Sequence, residues 1–149
     1  MHLLLDVNVI LDTMLQRAPW HQDADAVLQA DADGHIACAV TTHSLATAFY
    51  VSRKAIGTAA ARSAVRKYLA AFEILPIDKQ AMLDADAMPG SDFEDNLLIA
   101  AAVSSSLDAI VPRNPADFSH SLIPVWTPEE LVKRLSGGIT PALPTTNLP

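Results

Sequence analysis

The sequence predicts an α/β fold in which a mainly parallel sheet of about five short strands is covered by helices on both faces. Short apolar segments alternate with longer segments of helical periodicity along the chain, which is the order of a parallel α/β sheet. The chain has 149 residues, 50% of them hydrophobic, which is enough for one domain with its own core. We therefore expect a single domain over residues 1–136 and a flexible, proline-rich tail over residues 137–149.

The chain opens with a strand, a turn and a helix. Residues 2–5 are apolar and form the first predicted strand, and apolar side chains then recur at helical spacing through residues 7–17. Pro19 is expected to open a second helix, which ends at an Asp-Gly pair. The second predicted strand follows in the apolar segment 35–40.

Two helices are predicted to follow one another without a strand between them. The first covers residues 42–56 and ends before Gly57, and the second covers residues 58–72, where alanine and other strong helix formers are frequent. The expected buried face of the second helix carries Val65, Leu69 and Phe72.

The second half of the chain repeats the alternation of strand and helix. Residues 73–77 form the third predicted strand, and Asp78 is a suitable N-cap for a helix over residues 79–88. The segment 91–108 has the most regular helical pattern of the chain. It leads directly into the fourth predicted strand at residues 109–112.

A fifth strand and a final helix complete the prediction. Residues 123–126 are apolar and form the fifth predicted strand. Thr127, Pro128 and Glu130 have the spacing of an N-cap, a first-turn proline and the glutamate of a capping box. A helix is therefore expected to start at Pro128.

The charge balance argues against simple electrostatic binding of nucleic acid. Lys and Arg number 10 against 17 Asp and Glu, which gives a formal net charge of −7. The distribution is uneven, because the interval 53–67 contains no acidic residue and could form a basic face or an ordinary solvated helix surface. The basic residues in this interval are Arg53, Lys54, Arg62, Arg66 and Lys67.

The single cysteine and the hydropathy pattern indicate a soluble protein of a reducing compartment. Cys38 lies in an apolar segment and has no second cysteine with which to form a disulfide. No apolar segment approaches the length of a membrane span, and no basic region precedes the apolar N-terminus. We expect a cytoplasmic protein without a membrane contact.

Acidic side chains follow the predicted strands at the edge where ligands of parallel sheets bind. Asp6 follows the first strand, Asn114 and Asp117 follow the fourth, and Asp92 and Asp95 lie in the first turn of the regular helix. Carboxylates brought to one crevice repel each other and require a cation. Carboxylate and amide oxygens suit Mg²⁺ or Mn²⁺, whereas the five histidines lack the spacing of a zinc site.

Each of these acids also has a simpler explanation. Asp6 and Asp92 could cap the helices that follow them, and Asp95 could favour the positive end of its helix dipole. Only their joint placement favours a cation site. The remaining aspartates are interpreted as solvated residues on polar faces or at helix ends: Asp12, Asp23, Asp25, Asp31, Asp33, Asp84, Asp86 and Asp108.

Other hydrolytic chemistries find less support. The segment DVNVILD is superficially similar to the start of haloacid-dehalogenase-like phosphatases, but Asn8 replaces their second acid. A small phosphatase stays an alternative. The sequence contains neither a G-x-S-x-G nucleophile elbow nor a phosphate-binding glycine-rich loop.

Three segments in this order resemble a PIN domain, particularly the bacterial VapC-like branch: LLLDVNVILD, DFEDNLLIAAA and IVPRNPADF. The resemblance extends from residue 1 through the final predicted helix. It implies a three-layer α/β/α sandwich with an acidic cluster that binds Mg²⁺ or Mn²⁺ and hydrolyses phosphodiesters, usually in RNA.

The resemblance also assigns roles by position. It implies that Asp6, Asp95 and Asp117 are catalytic, metal-binding acids and that Asp92 is an additional metal ligand. Asn8 matches the polar residue that braces the first loop. Arg113 and Asn114 match the pair before the last acid.

Two positions depart from the family pattern. Many members carry a glutamate in the helix after the second strand, where this chain has Thr47 and no carboxylate nearby. Pro112 stands where a serine or threonine is common, which removes a hydroxyl and a backbone donor. The missing glutamate predicts a weaker metal site or one in which Thr47 and Asp92 supply the oxygens.

The expected function is a metal-dependent endoribonuclease that acts as the toxin of a VapBC-like pair. The resemblance implies an RNA substrate, a small antitoxin as partner and a homodimer, whose contacts could use aromatic residues, namely Trp20, Phe49, Tyr50 and Trp126. The alternative is a catalytically weak PIN module that binds RNA or a protein partner without cleaving it.

Overall fold

The computed structural model describes residues 1–137 and contains one parallel sheet of four strands. The strands are β1 (His2–Leu5), β2 (Ala37–Thr41), β3 (Glu73–Leu75) and β4 (Ala109–Val111). Their order across the sheet is β3-β2-β1-β4, and every neighbouring pair is parallel. The predicted tail, except for residue 137, lies outside the described residues.

Helices cover both faces of the sheet, so the molecule is the expected three-layer α/β/α sandwich. No helix of the described part is long and apolar enough to cross a membrane. The helices are α1 (Val7–Met14), α2 (His21–Ala32), α3 (Thr42–Ile56), α4 (Thr58–Ala71), α5 (Lys79–Asp86), α6 (Phe93–Ser104) and α7 (Pro128–Ser136), with a short 3-10 helix at Pro115–Phe118.

The predicted fifth strand is wrong. In residues 123–126 only Val125 forms a bridge, to Ile110, and the backbone bonds of this segment are those from Ile110 N to Pro124 O and from Trp126 N to Ile110 O. Pro124 has no N–H group with which to continue a ladder. The sheet therefore ends at β4, and the segment runs beside it as an irregular edge.

The two faces of the sheet form two separate cores, because side chains alternate along β1. Leu3 and Leu5 pack toward α1, α2, α3, α4 and α7, whereas Leu4 packs with α6 on the other face. All three leucines are fully buried. Both faces of β1 are thus fixed, and with them the position of the residue that follows Leu5.

The buried face of α4 differs from the predicted one. Tyr68 is only 7% exposed, whereas Leu69, which was expected in the core, is 53% exposed. The Tyr68 ring packs in the core beside Ala48 and Leu45 while its hydroxyl hydrogen-bonds the Thr13 hydroxyl of α1. The tyrosine supplies both an apolar body and a polar tip at this contact, which leucine cannot do.

The strand order places a crevice between β1 and β4. The chain leaves β1 through α1 and α2 toward β2, but it reaches β4 from β3 through α5 and α6, on the other side of β1. In parallel sheets, ligands bind beyond the carboxyl ends of the strands at such a reversal. The residues after β1 and β4 and at the start of α6 therefore face one crevice.

The predicted caps of α5 and α7 are confirmed. Asp78 accepts a hydrogen bond from the backbone N–H of Ala81, and Thr127 and Glu130 form a reciprocal capping box. The Glu130 carboxylate accepts from Thr127 N at 2.8 Å, and the Thr127 hydroxyl accepts from Glu130 N at 3.2 Å. Local sequence alone sets these helix starts.

Replacing Thr127 by alanine is expected to lower the free energy of unfolding by about 1 kcal/mol, because the N–H of Glu130 loses its acceptor. Urea denaturation of Thr127→Ala measures the change. Thr58→Ala, at an exposed helix start whose N-cap is a glycine without a side-chain bond, is the matched control. Equal stability of Thr127→Ala and the wild type would contradict the role of the cap.

Candidate metal centre

Asp6 lies at the carboxyl end of β1 and is only 5% exposed. Its backbone N–H donates to Val111 O of β4 at 3.1 Å, which ties the acid to the β1–β4 junction. Its Oδ2 accepts from the backbone N–H of Asn8 at 3.3 Å and from Asn8 Nδ2 at 3.4 Å. Asp6 thus caps α1, and Asn8 holds its carboxylate in place.

Burial dominates the electrostatics of Asp6. Desolvation raises the pKa of this carboxyl above its ordinary value, although hydrogen bonds from Asn8 and Val7 and the charge of Arg113 oppose the rise. A cation in the crevice would favour the ionised form of the same group.

Asp92 and Asp95 enter the crevice from the start of α6. Asp92 Oδ1 accepts from the backbone N–H of Glu94 at 2.9 Å and of Asp95 at 3.3 Å, so Asp92 caps the helix as the simpler interpretation expected. The cap does not exclude a second role, since the same carboxylate lines the cavities described below.

Asp117 approaches from the other side of the crevice, in the 3-10 helix after β4. Asn114 Nδ2 donates to Asp117 Oδ2 at 2.7 Å, so the two residues that the sequence pairs are in direct contact. Pro112, between β4 and this loop, is buried. The loop thus presents Asp117 on the surface beside Asp95.

The four predicted acids converge on one cavity of about 150 Å³. Burial raises the pKa of Asp95 to about 7, and the charges of Asp92, Asp6, Asp117 and Glu94 raise it in that order of size. Asn8 and Thr47 line the same cavity. All of the predicted acids, with two of the predicted supporting residues, are therefore brought together.

This donor set suits a hard divalent cation. Carboxylate oxygens are the ligands that Mg²⁺ and Mn²⁺ prefer, and a cation would remove the repulsion that raises the pKa of Asp95. Among residues 1–137, no three acidic, histidine or cysteine side chains are already close enough to hold one ion. An ion would therefore be held after the carboxylates draw together or through bridging water.

The cavity is lined by two further residues that the sequence interpretation missed, His43 of α3 and Glu94 of α6. His43 Nε2 lies 2.9 Å from Glu94 Oε1, and both residues line the cavity beside Thr47. Glu94 was not among the predicted site residues. Its contact with α3 joins residues 51 positions apart, which no local pattern predicts.

Asp12 was interpreted as a solvated residue, and this is wrong. It is 1% exposed, and its Oδ1 lies 3.2 Å from Arg113 Nη1 and 3.9 Å from Arg17 Nη1. The Arg113 guanidinium also stacks over Trp20 at 4.6 Å from the ring centroid. Arg113, which the resemblance matched to the pair before the last acid, is thus engaged by Asp12 and Trp20.

A second, larger cavity adjoins the acids. It measures about 490 Å³ and is lined by Asp92, Asp95 and Asp117 together with His120 and Gly90. No local sequence pattern selects His120 or Gly90. The basic residues of α3 and α4 are exposed, and none of them lines either cavity.

Solved structures of low sequence identity share this fold. VapC20 from Mycobacterium tuberculosis, described as a toxin that cleaves the sarcin-ricin loop, aligns with a TM-score of 0.66 at 11% identity, over 81% of this chain and 96% of that one. VapBC2 from Rickettsia felis, bound to a promoter DNA fragment, gives 0.64 at 14%, over 85% and 98%. A toxin-antitoxin complex from Klebsiella pneumoniae gives 0.63 at 21%, over 84% and 96%.

Sequence comparison supplies the family. No curated protein matches the chain. The family model described as PIN domain matches residues 2–116, which include β1 through β4 and three of the four acids, Asp6, Asp92 and Asp95. Since this match covers well over half of the sequence, the chain belongs to the PIN domain family.

Proposed function

We propose that the protein is a metal-dependent endoribonuclease, with Mg²⁺ or Mn²⁺ as its cofactor. The observation that carries the proposal is the convergence of Asp6, Asp92, Asp95 and Asp117 on one cavity, where their mutual repulsion and burial raise the pKa of Asp95 to about 7. Such a cluster is costly without a cation, and its position beyond β1 and β4 is where parallel sheets bind ligands.

The residues at the crevice would have two different roles, binding the cation and orienting the carboxylates that bind it. Asp6, Asp95 and Asp117 would hold the cation, with Asp92 as an additional ligand, while Asn8 and Asn114 keep Asp6 and Asp117 oriented. When bound, Mg²⁺ or Mn²⁺ lowers the pKa of a water and stabilises the charge that develops on the phosphate. The open side of the crevice leaves the RNA backbone access to the carboxylates.

RNA binding must overcome the acidic character of the protein. The net charge of −7 repels the substrate, and the cation bound at the four acids would offset that repulsion locally. The exposed basic residues of α3 and α4 would extend the attraction along the surface. Arg113 is engaged by Asp12, so its contribution would be the field that it exerts near Asp6.

We further propose that the nuclease is the toxin of a VapBC-like pair, with a small antitoxin as partner and a homodimer as its assembly. The similarity in fold to VapBC complexes supports this. Trp20 and Tyr50 are 48% and 58% exposed and so are available for such contacts, whereas Phe49 and Trp126 are partly buried. Co-purification with the product of an adjacent gene, lost on denaturation, would test the pairing.

The decisive experiment is RNA cleavage by protein freed of any bound partner. A structured RNA mixture is incubated with Mg²⁺ or Mn²⁺, and parallel samples contain EDTA. Discrete fragments that require the metal are the expected result. Intact RNA in both metals, with a folded protein that still binds the ions, would contradict the nuclease.

One observation favours a second candidate, a PIN module that binds RNA or protein without cleaving. The α3 wall of the cavity offers the hydroxyls of Ser44 and Thr47 and the ring of His43, but no carboxylate. Glu94 of α6 lies against this wall, with its Oε1 2.9 Å from His43 Nε2. A module of this kind would keep its partner after chelation.

A carboxylate on α3 is expected to tighten metal binding. Five carboxylates already line the cavity, those of the four predicted acids and of Glu94. In Thr47→Glu a sixth would join them, and the added ligand charge should lower the Mn²⁺ dissociation constant about tenfold. Calorimetric titration of Mn²⁺ measures the change. Thr47→Gln, of similar size but uncharged, is the control, and an equal gain in both variants would exclude the charge as the cause.

A further inference from the structure

A buried amide holds His120 at the wall of the larger cavity. Asn96 is 2% exposed, and its Nδ2 donates to Ala85 O at 3.1 Å and to Gly90 O at 2.9 Å. Only the NH₂ group of an amide can donate to two carbonyl oxygens, so these bonds fix the orientation of the side chain. The Oδ1 atom must therefore be the one that faces His120.

This orientation defines the chemical state of the neutral imidazole. His120 Nε2 lies 2.7 Å from Asn96 Oδ1, and an amide oxygen can only accept, so Nε2 carries the hydrogen and donates it. In the neutral ring, Nδ1 is then an acceptor. Within residues 1–137, Nδ1 has no hydrogen-bond partner, and it is not among the buried atoms.

Gly90 makes room for this arrangement. A Cβ atom at Gly90 would overlap both Asn96 Oδ1 and the ring atoms Cε1 and Nε2 of His120. The absence of a side chain is therefore needed for the ring and the amide to meet. Gly90 and Asn96, six residues apart, thus hold a ring that lies 24 residues further along the chain, and its Nδ1 stays available as an acceptor.

The His120 ring lines a cavity that also contains three of the four acids. His120 shares the larger cavity with Asp92, Asp95 and Asp117. A phosphate oxygen has no hydrogen to offer an acceptor nitrogen, but a sugar hydroxyl beside the phosphate has one. The 2′-hydroxyl is the donor that RNA has and DNA lacks.

We propose that His120 Nδ1 accepts a hydrogen bond from a ribose 2′-hydroxyl near the scissile phosphate and thereby selects RNA over DNA. The inference rests on the proposed nuclease function and adds its sugar specificity. Asn96 and Gly90 are positioning residues, because they act through the imidazole and not on the substrate.

Binding measurements test the selection without requiring cleavage. The Asp95→Asn protein is titrated in Mg²⁺ with fluorescent oligouridylate and with oligodeoxyuridylate of the same length, because the two ligands carry the same base and differ only at the 2′ position. A ribose preference of roughly 3- to 10-fold is expected, the range of one hydrogen bond. His120→Phe in the same protein should reduce the preference to about one, and His35→Phe, at an exposed histidine, should leave it unchanged.

The tautomer provides a second readout that does not depend on RNA. At a pH where the imidazole is neutral, nitrogen-15 spectra should show the hydrogen of His120 on Nε2, and Gly90→Ala should abolish this tautomer by displacing the ring. An Nδ1–H tautomer, or a ribose preference that survives His120→Phe, would overturn the inference. If the wild-type protein cuts RNA in Mg²⁺ but the ribose preference survives His120→Phe, only this inference is overturned. If the wild-type protein does not cut RNA and no ribose preference is measured, the proposed nuclease function is overturned as well.

Discussion

Asp95→Asn is expected to abolish metal-dependent RNA cleavage, with a loss of about 100-fold or more. Asp95 is the acid on which the other carboxylates act most strongly, and burial together with their charges raises its pKa to about 7. Replacing it removes one oxygen ligand and one negative charge from the centre of the cluster. The rate of fragment formation in Mg²⁺ and Mn²⁺ measures the loss.

The same substitution should stabilise the metal-free protein at pH 8. Above pH 7 the wild-type Asp95 is ionised next to Asp92, Asp6 and Asp117, and asparagine removes this repulsion. A higher thermal midpoint combined with lost activity distinguishes a functional acid from a structural one. Asp33→Asn, at an exposed position at the end of α2, is the control. Full activity of Asp95→Asn would contradict the proposed centre.

Features of the fold that depend on neighbours in sequence could be predicted. The caps at Asp78 and Thr127 are examples, because the side chain and the N–H group that it accepts from lie three residues apart. The strand predicted at residues 123–126 was wrong because a strand requires a continuous set of hydrogen bonds to its neighbour, and Pro124 has no N–H group with which to continue the hydrogen bonds beside β4. The buried face of α4 was predicted wrongly because Tyr68 and Leu69 are adjacent, and the Tyr68 hydroxyl contacts Thr13, which is 55 residues away in sequence.

The candidate site likewise contains residues that could be predicted from the sequence and residues that could not. The positions of the four acids follow from where the strands end, so the topology was sufficient to place them at one crevice. Asp12 was misjudged because its partner Arg113 lies 101 residues away in sequence. His120 and Asn96 are 24 residues apart, and neither has a local signal. Side chains that act through distant partners require the three-dimensional structure.

The metal-free cluster is a compromise between capping and repulsion. Asp6 and Asp92 each accept backbone N–H groups at the start of a helix, which stabilises their negative charge without a cation. Within residues 1–137, no backbone N–H group donates to the Asp95 carboxylate, and the negative charges of the other acids raise its pKa. A proton on Asp95 and a divalent cation at the cluster therefore relieve the same charge, and the two should compete.

Divalent cation binding is accordingly expected to strengthen with pH. The pKa of Asp95 is about 7 in the metal-free protein, so below pH 7 a cation must displace a proton from this carboxyl, whereas above pH 7 it need not. The Mn²⁺ affinity should therefore rise roughly tenfold from pH 6 to pH 8. At a free concentration 100 times the dissociation constant, the ion should stabilise the fold by about 2.7 kcal/mol. Calorimetric titration and urea denaturation measure the two effects.

Raising the pH has the opposite effect on the stability of the metal-free protein, whose free energy of unfolding it lowers. Because the folded-state pKa of Asp95 lies above its ordinary value near 3.8, this group favours the folded state at low pH. The contribution of Asp95 to the free energy of unfolding therefore falls as the pH rises from near 3.8 to about 7, and it does not change further above pH 7. Asp95→Asn should remove both the pH dependence of Mn²⁺ affinity and this loss of stability. An affinity for Mn²⁺ that is equal at pH 6 and pH 8 in the wild type would show that the ion does not bind at Asp95, because a ligand that shares its site with a proton cannot be indifferent to pH.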